Sequence, residues 1–241
     1  MSRVASSVTR TVLASLLVSG VLTVGTAFAG DDVGSVNFVL GYKSLTRDWT
    51  LGPSGAQPPG RASQPGLGVE FTWGRSDWPV RIAFDVLHSY DDGITHVPRF
   101  FTVPAYDVRL RASTLELALG LRRGWTLRSF TPYLGAGGEW ARGNAAVEVS
   151  DPRAGQFGAP TSSARARSSA FGSWVGGGLA CRLGPRFQIG VAGRFSKATL
   201  PSEPFVDDQG TVLPGGASFP RIDGGGRHIN LVVGWSFPNR Q

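Results

Sequence analysis

Three histidines, His88, His96 and His228, are the side chains in this sequence best suited to general-base chemistry near neutral pH. A lipid hydrolase would need one of them beside a serine hydroxyl, with a carboxylate to orient the ring. His88 is followed directly by Ser89, but neighbours on an extended strand point to opposite faces, so this spacing does not assemble a pair. His228 ends the run Gly224-Gly225-Gly226-Arg227-His228 and has no partner at a recognisable spacing. The glycine runs lack the strand-then-helix context of a phosphate loop, and no metal-ligand spacing is present. The expectation is a protein that is not an enzyme and carries no cofactor.

Charged residues offer binding rather than catalysis. Glu70, Asp85, Glu116 and Glu139 alternate with apolar neighbours and fall on one face with Arg81, Arg182 and Arg194, which makes them candidates for ion pairs inside a closed sheet. Arg142, Arg153, Arg165 and Arg167 cluster around one Gly/Ser-rich stretch. A guanidinium matches phosphate in charge and fork geometry, so these four are candidates for contact with lipopolysaccharide or another acidic partner. The formal net charge of +7 is dispersed, without a Lys/Arg run, which argues against nucleic acid.

The elements that would position these groups are strands. Glycine (34 residues) and proline (16) punctuate the chain too often for a helical protein. Between them lie segments of about ten residues with a period of two. Val36, Phe38, Leu40 and Tyr42 share one face of the first; Leu67, Val69, Phe71 and Trp73 of the second; Ile82, Phe84 and Val86 of the third. Leu115, Leu117, Leu119 and Leu121 alternate with Thr114, Glu116, Ala118 and Gly120 in the fourth. Further strands are predicted from Phe130, over 169–183, from Phe187, and over 227–237. The connections after strands one, three, five and seven are long, at about 46–65, 91–105, 143–168 and 197–226, and the others are short. Long loops at one end and short turns at the other, with an even strand count, is the layout of a transmembrane barrel. Tyr42, Trp73, Trp78, Tyr90, Trp125, Trp140, Trp235 and Phe237 near strand ends fit interfacial girdles.

The N-terminus reads as an export signal. Arg3 and Arg10 precede an uncharged, mostly apolar Thr11–Val24, and Ala27-Phe28-Ala29 supplies the small residues of a cleavage site. Cleavage after Ala29 leaves a barrel domain over 30–241. Cys181 is the only cysteine, so no intrachain disulfide can form, and no later apolar run is long enough for a membrane helix.

Three stretches carry a family resemblance: Thr131-Pro132-Tyr133-Leu134-Gly135-Ala136-Gly137-Gly138, the hairpin from Val175-Gly176-Gly177-Gly178-Leu179 through Leu183-Gly184-Pro185-Arg186-Phe187, and the closing Asn230–Phe237. The pattern resembles the OmpA/OmpX-like superfamily of eight-stranded outer-membrane barrels, which includes the opacity-type and OmpW-type proteins. The resemblance implies an all-β, up-and-down antiparallel barrel in the outer membrane of a Gram-negative-type bacterium. It also implies contact with outer-membrane lipid and lipopolysaccharide, and with the barrel-assembly machinery during biogenesis. The family's aromatic end residue is usually terminal, whereas Pro238-Asn239-Arg240-Gln241 follows Phe237 here. The role it implies is structural or surface-interacting, through long extracellular loops that could meet an extracellular ligand. A small porin for solutes is the alternative, and a lipid A-modifying enzyme the second alternative.

Overall fold

A computed structural model describes residues 32–44, 63–75, 78–97, 106–125, 127, 129–150, 162–184, 186–201, 203–204, 206–207, 209–211, 218–219 and 222–237. The expected signal peptide, most of the proline-rich first loop, Arg153 and the C-terminal Pro238–Gln241 lie outside the described residues.

Eight strands form the barrel: β1 (Asp32–Ser44), β2 (Ser63–Arg75), β3 (Arg81–Val97), β4 (Tyr106–Gly124), β5 (Phe130–Ser150), β6 (Ser162–Arg182), β7 (Phe187–Lys197) and β8 (Gly226–Phe237). Each pairs antiparallel with its sequence neighbours. β8 returns to β1, from Gly34 opposite Phe237 to Ser44 opposite Arg227, and this closes the ring. Closure satisfies the edge hydrogen bonds that an open sheet would leave bare in lipid.

The period of two turns one set of side chains out and the other in. Phe38, Leu40, Leu119, Leu121, Leu134, Val175, Val191 and Ile229 are exposed, with Phe171 at 85% and Ile229 at 76% of full accessibility. Val36 and Val69 share this outward face but are covered by bulky cross-strand neighbours, Trp235 and Phe71 for the first and Phe38 for the second. A continuous apolar belt of this kind is far larger than a water-soluble monomer exposes. Aromatics bound it. Trp73 packs edge-on against Trp78 (5.8 Å) and Phe187 against Trp235 (5.8 Å) at the short-turn end. Tyr42 and Tyr90 lie exposed toward the other end. From Ile82 to Tyr90 is about nine residues, the length of one bilayer crossing. The chain is a transmembrane β-barrel.

The walls differ in height. β7 and β8 have 11 and 12 residues, whereas β5 and β6 have 21 each. Residues 91–97, 143–150 and 162–168, expected in long loops, are therefore strand, and β3–β4 and β5–β6 rise above the belt as hairpins. The reason is solvent. Above the membrane the outward face meets water, so Asp92, Arg109, Arg111, Arg142 and Glu148 replace the leucines there and the apolar alternation disappears while the hydrogen-bonded ladder continues. The connection from β7 to β8 folds back over the barrel. Leu200 is fully buried against Ala112, Ala145, Ala164 and Ala166, which line the inward face of the raised wall. Ala198 accepts a backbone hydrogen bond from Gly224 (2.6 Å), and Ser168 donates to the Pro201 carbonyl (2.9 Å).

Candidate functional site

The inward residues build two charged layers. In the middle of the lumen a chain of ion pairs crosses from strand to strand. Arg122 Nη1 contacts Glu70 Oε2 (3.1 Å) and its Nη2 contacts Asp85 Oδ1 (3.4 Å). Arg194 Nη1 contacts the other oxygen of Asp85 (3.2 Å), and its Nη2 contacts Glu139 Oε2 (2.5 Å). Each arginine thus bridges two carboxylates and stacks on one ring: Arg122 on Tyr133 at 4.7 Å, Arg194 on Trp174 at 4.9 Å. The rings occupy the space that inward glycines leave open. A methyl group on Gly120 or Gly135 would lie 2.8 or 3.0 Å from Trp174, and one on Gly178 would lie 2.6 Å from the Tyr133 hydroxyl.

The second layer lies nearer the long-loop end. Lys43 is fully buried, and its ammonium donates to Glu116 Oε1 (2.6 Å), Thr114 Oγ1 (3.0 Å) and the Gly224 carbonyl (2.5 Å). Those three bonds use every hydrogen of the ammonium. His228 Nε2 is 3.3 Å from the second oxygen of Glu116. Ser89 and Thr114 share a hydrogen bond of 2.6 Å, and Ser89 also donates to Gln64 Oε1 (3.2 Å). Ser89 is thus engaged with Thr114 and Gln64 and points inward. His88 is on the outward face, opposite Leu67 and Leu115, so no nucleophile–base pair forms there. His96 lies on the raised hairpin opposite Asp107.

Of the ion-pair candidates, Glu70, Asp85, Glu116, Glu139 and Arg194 enter these layers. Arg81 and Arg182 do not. They sit at the first residue of β3 and the last of β6, at the short-turn mouth, away from the carboxylates. Lys43, Arg122, Trp174 and Tyr133 complete the layers and are not among the residues that the sequence pattern singles out. Parity alone identifies them, since each alternates with outward residues such as Tyr42, Leu121, Val175 and Leu134.

The arginines near the outer edge face outward. On the raised wall Arg142 lies opposite Ser169, Arg167 opposite Asn144 and Arg165 opposite Ala146, all three arginines exposed and at successive outward steps above the belt pair Trp140–Phe171. Beside them Arg111 contacts Glu148 (3.0 Å), and Arg109 grips Asp92 through two nitrogens, Nε (2.9 Å) and Nη2 (2.5 Å). The hydrogen bonds from Arg109 hold the Asp92 carboxyl below the usual carboxylate range.

A closed ring of eight strands, greasy outside and charged inside, is the organising feature of the molecule. It is a small transmembrane β-barrel. Among solved structures, the outer membrane protein OprG from Pseudomonas aeruginosa is similar, at 15% identity and a TM-score of 0.44 over 87% of this chain and 97% of that one. The N-terminal β-barrel domain of Pseudomonas aeruginosa OprF gives 14% and 0.42 over 86% and 98%. Neisserial surface protein A (NspA) gives 12% and 0.39 over 86% and 96%. No protein-family model matches the chain, and no curated protein matches it in sequence. The ring of strands and its outer belt establish the fold on their own.

Proposed function

We propose that the protein is an outer-membrane barrel with a structural and surface-interaction role, exercised through its raised wall toward lipopolysaccharide phosphates. One observation carries the reading: Arg142, Arg167 and Arg165 stand exposed on the outward face of β5–β6, in a row that begins immediately above the apolar belt. That is the height at which headgroup phosphates of the outer leaflet meet a barrel. Guanidinium groups at adjacent strand positions can each take a phosphate oxygen pair. The export signal expected at residues 1–29 supports the address, and assembly would involve the barrel-assembly machinery. The filled interior, with two ion-pair layers and Trp174 across it, favours a structural lumen over a solute conduit.

The test is binding of purified lipopolysaccharide to the detergent-folded protein, compared with the same lipid after removal of its phosphates. The triple variant Arg142→Ser/Arg165→Ser/Arg167→Ser should weaken binding by about tenfold, the scale of one or two lost charge-assisted hydrogen bonds. Equal affinity for the dephosphorylated lipid would refute the proposed contact. A stable ohmic conductance in planar bilayers would move the reading to the transport alternative.

A further inference from the structure

The short-turn mouth of the barrel carries charge that the ion-pair layers leave unbalanced. A cavity of about 90 Å³ lies there, lined by Arg81, Arg122 and Arg182 but by no carboxylate among the described residues. Arg122 is already balanced by Glu70 and Asp85. Arg81 and Arg182 are not paired with any acid among the described residues, and both line this one cavity. Both have inward parity, alternating with the outward Ile82 and Cys181, so neither guanidinium is on the side that meets lipid. Two like charges turned toward one small polar space are destabilising unless something negative sits between them.

The rest of the lining suits an oxyanion. Ser35 and Thr72 bring hydroxyl groups, which share a hydrogen bond of 2.7 Å with each other and retain further donor and acceptor capacity. The Tyr133 hydroxyl is enclosed and has no hydrogen-bond partner among the described residues. The volume is enough for several water molecules and therefore for one tetrahedral anion. Every lining element ends here, from Ser35 at the start of β1 to Ser236 at the end of β8, so the cavity lies at the short-turn face, opposite the raised wall.

We propose that this mouth is a binding site for a phosphate group, held between Arg81 and Arg182. The phosphate belongs either to a small soluble ion or to a lipid headgroup that reaches in from the inner leaflet. The site is independent of the arginine wall, because the two lie at opposite ends of the barrel and on opposite faces of the sheet.

Calorimetric titration of the full chain, folded in a detergent without phosphate, tests it with inorganic phosphate and with dihexanoyl phosphatidic acid as probes. The expected result is saturable binding of one phosphate per chain, weakened at least tenfold by Arg81→Gln or Arg182→Gln and lost in the double variant. Arg123→Gln is the control, since Arg123 lies at the same end but faces outward over Trp125. It should bind as the unaltered protein does. Tighter binding of the phosphatidic acid would identify the headgroup as the source, and equal or weaker binding the free ion. Should the variants fail to fold, as judged by loss of heat-dependent gel mobility, competition in the unaltered protein decides: sulfate should displace phosphate and chloride should not. Absence of saturable binding, displacement by chloride as readily as by sulfate, or an equal loss in Arg123→Gln would overturn the proposal.

Discussion

The same chemistry, a cation against a carboxylate, appears in two settings in this molecule. Inside the lumen, Lys43–Glu116 and the Glu70–Arg122–Asp85–Arg194–Glu139 chain are almost wholly removed from solvent. On the raised wall, Arg109–Asp92 and Arg111–Glu148 have comparable or better geometry but stand in water. Distance alone would rank the pairs alike. Burial ranks them differently, because a charge stranded in the lumen has no water to turn to, whereas one stranded on the wall is solvated at once.

The comparison is most easily broken from inside. Removing one partner of a buried pair, as in Arg194→Met or Glu116→Leu, should cost roughly 3–5 kcal/mol, read from urea unfolding followed by heat-dependent gel mobility. The double variant Lys43→Met/Glu116→Leu should be less damaging than Glu116→Leu alone, because it leaves no orphan ammonium. A double variant as costly as the sum of the singles would show that the lumen pairs are not coupled. Next in size is the belt. Leu117→Arg or Val191→Arg places a charge against lipid and should cost roughly 2–4 kcal/mol and lower the assembled fraction in membranes. Near-normal assembly of both would contradict the inside–outside assignment.

Smaller still is the fit between glycine and ring. Gly135→Ala puts a methyl group 3.0 Å from the Trp174 ring and should cost about 1–3 kcal/mol. The penalty should shrink when Trp174→Phe is introduced with it, and an unchanged penalty would assign the cost to the backbone instead. The smallest effect belongs to the wall. Asp92→Asn should lower stability only slightly at neutral pH, because both partners of the pair stand in water. Because the folded Asp92 carboxyl titrates below its unfolded value, its contribution is present above the ordinary carboxylate range and is lost as pH falls through the lowered value. Stability of the unaltered protein and of Asp92→Asn should therefore converge in acid, and a difference that grows there would reverse the sign.

Much of this was legible in the sequence, and the omissions have a common cause. Alternation over Leu115–Leu121 and Ile229–Phe237 is a local property, so strand type and facing were readable from a few residues at a time. The raised hairpins are not legible as strands, because an apolar face marks a strand locally and that face turns polar at Asp92, Arg111 and Arg142 while the strand goes on. Trp174 faces inward by parity with Val175, but only the assembled ring shows that it lies against Arg194 and the inward glycines. The pairing of charges was beyond local reading altogether. Arg194 meets Asp85 at a separation of 109 residues and Lys43 meets the Gly224 carbonyl at 181, and only the register around a closed ring brings them level.

That last contact bears on how the barrel is made. Lys43 belongs to the first strand, Glu116 to the fourth, and Gly224 to the segment leading into the eighth. An unfinished sheet holds the ammonium with one of its three acceptors missing, and the seam between β1 and β8 is where that acceptor arrives. The lysine therefore works as a latch on the seam: it is fully engaged only when the chain has come full circle, and a barrel that reopened there would have to release it first.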